Sequence, residues 1–239
     1  DEELRETQKA VERCVRTSPD QLPHGRNFAF DKSLEALTMH PVTWPIVKEL
    51  TDDKPRFNRG SLVVETHEKQ TMTPFHCARE DCGWQTRRYE VRNGRIFCND
   101  IIVFFYFTDV YPGDGGLLVL PGSHKSEFQR PDGLFLSDLE DPNPVLHSAI
   151  KNITPRAGDV VVLSELTTHG VLIWKPKDRD RRFLILRYKT QYFQDHQGER
   201  YVYSKELMDK LSPETQELMS YESYWHDKEI VKCETVDLS

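Results

Sequence analysis

From Asn58 onward the chain is a succession of short β-rich runs, each closed by Gly, Pro, Asn or Asp. This pattern constrains the fold more than any other feature. The runs are SLVVETH from Ser61, IFCNDIIVFFYFTDV from Ile96, GLLVLPG from Gly116, GDVVVLSEL from Gly158, GVLIW from Gly170 and RFLILRYKT from Arg182. β-Branched and aromatic residues dominate them, as suits pleated, half-buried surfaces. No helix of crossover length lies between them, which argues against a parallel α/β sheet. Regular alternation of run and turn predicts a double-sheet jelly roll or barrel.

Helical signals flank this core. Glu2 to Val15 carries apolar residues at helical spacing, and DKSLEALTMHP has Asp31 or Ser33 as a cap and Pro41 as a stop. WPIVKEL adds a further turn or two, and the tail reads as SKELMDKL followed by PETQELMSYESYW, with Pro213 at a helix start. The expected organisation is one domain of 239 residues: a helical flank over 1–57, a β core over 58–192 and a C-terminal helical extension over 193–239. Lys125 to Pro155 is rich in Pro and Asp and poor in pattern, as expected of a lid or binding loop.

The net charge of -7, spread along the chain, argues against nucleic acid or an anionic membrane as a partner. The longest apolar run, Ile101 to Phe107, is far short of the roughly 18 residues of a membrane span. No secretory pattern is visible, and five cysteines are an odd number, so a reducing, cytoplasmic setting is expected. Cys77 and Cys82 lie beside His76, but the paired CxxC spacing of a zinc site is missing.

Of nine histidines, His24, His40, His67, His147, His196 and His226 have ordinary surface or capping readings. His76, in TPFHCARE, and His169, in SELTTHGVLIW, stand beside strand runs that a jelly roll can bring together. Neutral imidazoles there suit a divalent metal, and two His plus a carboxylate is the pattern of non-haem Fe(II) oxygenases. Arg181 and Arg182 open the last strand run, twelve and thirteen residues after His169. A guanidinium fork there fits a carboxylate ligand or, equally, Asp178 or Asp180.

FFYFTDVYPGDGGLLVLPGSHKSEF, Phe104 to Phe128, resembles the central segment of the phytanoyl-CoA dioxygenase family. So does the stretch from Ala157 through THG to RRFLIL. The resemblance runs from about His40 to Tyr192. It implies a double-stranded β-helix, Fe(II) held by an HxD pair and a distal His, and 2-oxoglutarate bound by an Arg beyond that His. Position by position it implies His76 and His169 as metal ligands and Arg181 as the 2-oxoglutarate arginine, with Arg182 the alternative. Ser123, His124 and Lys125 fall in the family's PGSHK turn, where a structural or gating role is expected. Asn99 and Tyr106 would face the barrel interior toward 2-oxoglutarate. Trp84, Arg87 and Arg88 would line the pocket for a small-molecule substrate, anionic if the arginines contact it, or else lie in a solvated loop.

One position departs from the family. Two residues after His76, where the ligand carboxylate belongs, stands Ala78. On a strand these two side chains share a face. Three arrangements follow. The position is open to chloride, as in Fe(II)/2-oxoglutarate halogenases, which resemble this HxA pattern. Alternatively Glu80 or Asp81 swings in through a bulge. Or two histidines and water suffice, or the site is degenerate and the chain is a jelly-roll binding protein.

Overall fold

A computed structural model describes residues 2–17, 25–68, 73–78, 88–127, 145–193 and 203–233. Among the described residues ten strands follow in chain order: β1 (Pro55–Glu65), β2 (Thr73–His76), β3 (Tyr89–Arg92), β4 (Arg95–Cys98), β5 (Asp100–Tyr106), β6 (Gly116–Val119), β7 (Lys151–Asn152), β8 (Val160–Ser164), β9 (His169–Leu172) and β10 (Arg181–Thr190). Eight of them form two four-stranded antiparallel sheets, ordered β1-β10-β5-β8 and β2-β9-β6-β7, and β3-β4 is a separate hairpin. This is the jelly roll expected from the run-and-turn pattern.

Residue parity sorts the side chains of the larger sheet. Phe183, Tyr106, Phe104 and Ile102 turn inward to meet Leu117 and Val119 of the smaller sheet. Leu184, Leu186, Tyr188, Ile101, Val103 and Phe105 turn outward onto a helical layer. That layer begins with α1 (Glu2–Arg16), whose buried residues Thr7, Ala10, Val11 and Cys14 recur every three or four positions. Asp31 caps α2 (Lys32–Glu35), its carboxylate accepting from the Ser33 N–H at 3.0 Å, and α3 (Trp44–Leu50) has Pro45 in its first turn.

The boundaries differ in detail from expectation. β1 opens at Pro55, inside the stretch expected to be helical flank, with a bulge between Phe57 and Arg59. The helix at Pro213–Met219 stops before the aromatic residues that follow it. β2, β3 and β7 had no counterpart among the sequence runs, and the single run from Ile96 is divided between β4 and β5. The C-terminal segment is docked by Lys228, fully buried, whose Nζ donates to the carbonyls of Pro55, Leu218 and Ser220 at 3.2, 3.1 and 2.9 Å. Among the described residues no helix is long and apolar enough to cross a membrane.

Candidate functional site

β2 and β9 are antiparallel neighbours, and their register makes His76 and His169 direct partners. Val119 of β6 faces His169 from the other side and points into the core between the sheets, so both imidazoles lie on the inner face. The ring centroids are 4.2 Å apart, at 54°. The Nδ1 of His76 is 2.8 Å from the Pro74 carbonyl, and that of His169 is 2.7 Å from the Thr167 carbonyl. A carbonyl only accepts, so both Nδ1 atoms carry the hydrogen and both Nε2 atoms are left as lone-pair donors. This is the tautomer a metal-binding imidazole needs. Burial, reinforced by His76, pulls His169 down to about 4 against the opposing Thr167 hydrogen bond, so it stays neutral at physiological pH.

The approach to His169 is held by the PGSHK turn. Gly122, at φ 83°, leads into a short 3₁₀ turn, Ser123–Lys125. The Ser123 hydroxyl donates to the Leu120 carbonyl and accepts from the Thr168 N–H, both at 2.7 Å. His124 packs edge-on against Tyr89 with centroids 4.5 Å apart. A cavity of about 390 Å³ opens alongside, lined by Tyr89, Val119, His124, Leu163 and Thr167 among others.

Ala78 lies beyond the end of β2, in helical backbone, so the shared-face argument for residues two apart on a strand does not carry to it. Its N–H donates to the Glu165 carbonyl at 2.8 Å, while the Glu165 carboxylate is committed to Arg187. Among the described residues no third His, Cys, Asp or Glu joins the two histidines. Glu80, Asp81, Cys82, Trp84 and Arg87 lie outside the described residues. The four described cysteines, Cys14, Cys77, Cys98 and Cys233, form no disulfide.

Arg181 and Arg182 separate cleanly. Arg181 shares the inward parity of Phe183 and is 1% exposed. It reaches across to the smaller sheet, where a Cβ on Gly116 would stand 2.5 Å from its Nη1. It donates through Nη2 to Glu65 at 2.6 Å, and among the described residues its buried Nε has no hydrogen-bond partner. Arg182 has the outward parity of Leu184 and pairs with Asp180 at 2.8 Å. Gly116 is paired with Leu172, three residues along β9 from His169, so the guanidinium stands about 10 Å down the barrel from the imidazoles.

Tyr106 faces inward beside this arginine, stacked on Phe183 at 5.3 Å, and burial pushes its hydroxyl up to about 12. Asn99 lies in the bend between β4 and β5, outside both strands, and its side-chain oxygen accepts from the Arg88 N–H at 2.8 Å. The Arg88 side chain is 60% exposed, with its Nη1 3.8 Å from the Glu90 carboxylate. Glu65 had no place among the sequence candidates. It is the last residue of β1, and only the β1-β10 register sets it opposite Arg181.

The family model for phytanoyl-CoA dioxygenase matches residues 4–171. No curated protein matches the chain. Among solved structures, HygX from Streptomyces hygroscopicus with nickel and 2-oxoglutarate bound superposes with a TM-score of 0.65 at 19% identity, covering 81% of this chain and 80% of that one. The epimerase SnoN, in complex with Fe3+, alpha ketoglutarate and nogalamycin RO, gives 0.58 at 14% identity over 80% and 76% of the two chains. AviO1 from Streptomyces viridochromogenes Tue57 gives 0.54 at 15% identity over 82% and 87%. At these identities the likeness is one of fold.

Proposed function

The chain belongs to the phytanoyl-CoA dioxygenase family of Fe(II)- and 2-oxoglutarate-dependent oxygenases, and we propose that within it this protein functionalises an unactivated C–H bond of a small molecule. The observation that carries the proposal is the facing pair of imidazoles, each with Nδ1 tied to a carbonyl and Nε2 available. That donor set fits Fe(II). Arg181 supplies a second fit: a buried guanidinium on the same inner face, with an Nε that has no hydrogen-bond partner among the described residues, suits the far carboxylate of 2-oxoglutarate.

In this reading His76 and His169 hold the metal, and the carbonyls of Pro74 and Thr167 fix their orientation. Arg181 and Tyr106 receive the co-substrate, and the two sheets exclude water around it. Bound iron with 2-oxoglutarate and O2 supplies the oxidising power for C–H cleavage. The cavity beside Thr167 and Val119 is the approach for substrate. HygX has been crystallised with hygromycin B and SnoN with nogalamycin RO, which supports a small-molecule substrate. The absence of disulfides among the described cysteines supports a cytoplasmic setting.

Ala78 offers no ligand of its own. Chloride held beside the two histidines would direct the reaction to halogenation; water, or Glu80 or Asp81, would direct it to hydroxylation. Anaerobic addition of Fe(II) and 2-oxoglutarate is expected to produce a weak visible charge-transfer band that His76→Ala abolishes. No band, with wild type and variant alike, means a non-catalytic jelly-roll binding protein instead. Parallel turnovers with and without chloride or bromide, screened by mass for halogen isotope patterns, separate the two reactions.

A further inference from the structure

The inner end of the barrel holds a feature the proposed reaction does not call for. Glu65 and Arg181 are register partners across β1 and β10, 4% and 1% exposed, joined at 2.6 Å. The guanidinium proposed to receive the far carboxylate of 2-oxoglutarate is therefore already neutralised by a carboxylate of the chain itself. Burial pushes the Glu65 carboxyl up, and Arg181 offsets this only in part. Seating a second carboxylate on Arg181 would leave two negative groups sharing one positive one where little water reaches them.

We infer that Glu65 is a built-in counter-ion of Arg181 that holds the guanidinium in place before co-substrate arrives and weakens selection for a distal carboxylate on the 2-oxo acid. The inference rests on the iron and 2-oxoglutarate reading above. Two features make it specific. The observed Glu65 contact is through Nη2, so the pairing leaves Nε over for a ligand. Gly116, with no side chain, lets Nη1 pack where a Cβ would stand 2.5 Å from it, which fixes the far side of the guanidinium. Arg181 is thus positioned by Glu65 without being used up by it. Glutamine at position 65 keeps an oxygen acceptor for Nη2 but removes the charge, so it separates positioning from repulsion.

The test is calorimetric titration of the full chain, loaded anaerobically with Mn(II), with 2-oxoglutarate and with 2-oxovalerate, which has the same carbon chain without the far carboxylate. Wild type is expected to prefer the dicarboxylate by less than about tenfold, roughly what 1.4 kcal/mol gives. Glu65→Gln is expected to bind 2-oxoglutarate at least about tenfold tighter than wild type, with 2-oxovalerate unchanged. Unchanged 2-oxoglutarate affinity in the variant overturns the inference. A wild-type preference of 100-fold or more, on the order of 2.7 kcal/mol, overturns it without recourse to the variant. Binding of neither 2-oxo acid by metal-loaded wild type overturns the co-substrate reading itself, and this inference with it.

Discussion

His76 and His169 face each other as register partners across β2 and β9, with their rings 4.2 Å apart and each Nδ1 on a backbone carbonyl two residues earlier. The same local device is thus used twice, on two strands, to aim two Nε2 lone pairs. Replacing either histidine by alanine removes half of the described donor set. His76→Ala and His169→Ala are each expected to weaken Co(II) or Fe(II) binding by more than about 100-fold, exceeding the effect of losing an outer hydrogen-bond partner. Absorption titration with Co(II) reads this directly, and unchanged affinity in both variants would remove the metal site.

Protonation of His169 should set the acid limit of the metal-free fold. Its folded pKa is lowered to about 4 by burial and by His76, against about 6.5 in the unfolded chain. As pH falls below about 6.5 the unfolded chain takes up a proton that the fold refuses until about 4, so stability declines across that window and not below it. The loss approaches roughly 3 kcal/mol at its limit. Denaturant midpoints measured in chelator between pH 7 and 4 should fall more steeply for wild type than for His169→Asn. Parallel curves for the two proteins would assign the acid sensitivity elsewhere.

The sequence runs located β5, β8, β9 and β10 because apolar β-branched stretches between turn residues leave few alternatives. Why Arg181 rather than Arg182 turns inward was not legible. β10 is apolar on both faces, Phe183 and Ile185 on one and Leu184 and Leu186 on the other, so its alternation does not mark inside from outside. β2 was hidden by its brevity and by Pro74, a residue that argues against a strand. The β3-β4 hairpin did carry a readable signal. Asn93-Gly94 sits at its tip with φ of 52° and 77°, the conformation that pair favours in two-residue hairpin turns. Glu65 shows the deeper limit. Its partner lies 116 positions away, and pairing at that distance is fixed by register, which no local pattern encodes.

Ser123 links the PGSHK turn to the metal site through the Thr168 N–H, one residue before His169. Thr168 is buried, so Ser123→Ala leaves an amide without its acceptor. The expected cost is about 1–3 kcal/mol in unfolding free energy. Metal affinity should fall as well, because the chain entering β9 loses a restraint. A variant that loses stability but keeps wild-type Co(II) affinity would confine Ser123 to the turn.

Lys228 makes a comparable prediction for the C-terminal segment. Its ammonium satisfies three carbonyls at once, from β1 and from the end of the preceding helix. Lys228→Met fills similar space but donates nothing, and is expected to cost roughly 2 kcal/mol. The denaturant midpoint should drop with the slope unchanged. A midpoint within error of wild type would mean the segment is held by apolar packing alone.

Ala78→Asp tests what stands where the family's carboxylate belongs. The backbone at Ala78 is helical and its N–H is held by the Glu165 carbonyl, so the substitution leaves the main-chain anchor intact. If the Ala78 Cβ points at the metal, aspartate there completes a two-histidine, one-carboxylate set. Metal affinity should then rise by about tenfold or more, the equivalent of 1.4 kcal/mol. Any chloride dependence of the Co(II) spectrum should disappear, because the carboxylate takes the position a halide would use. Products should shift in parallel, from halogenated to hydroxylated. If Co(II) affinity is unmoved, the helical turn carries residue 78 away from the metal, and the missing ligand must be sought beyond it in the chain, with Glu80→Gln and Asp81→Asn as the next variants to titrate.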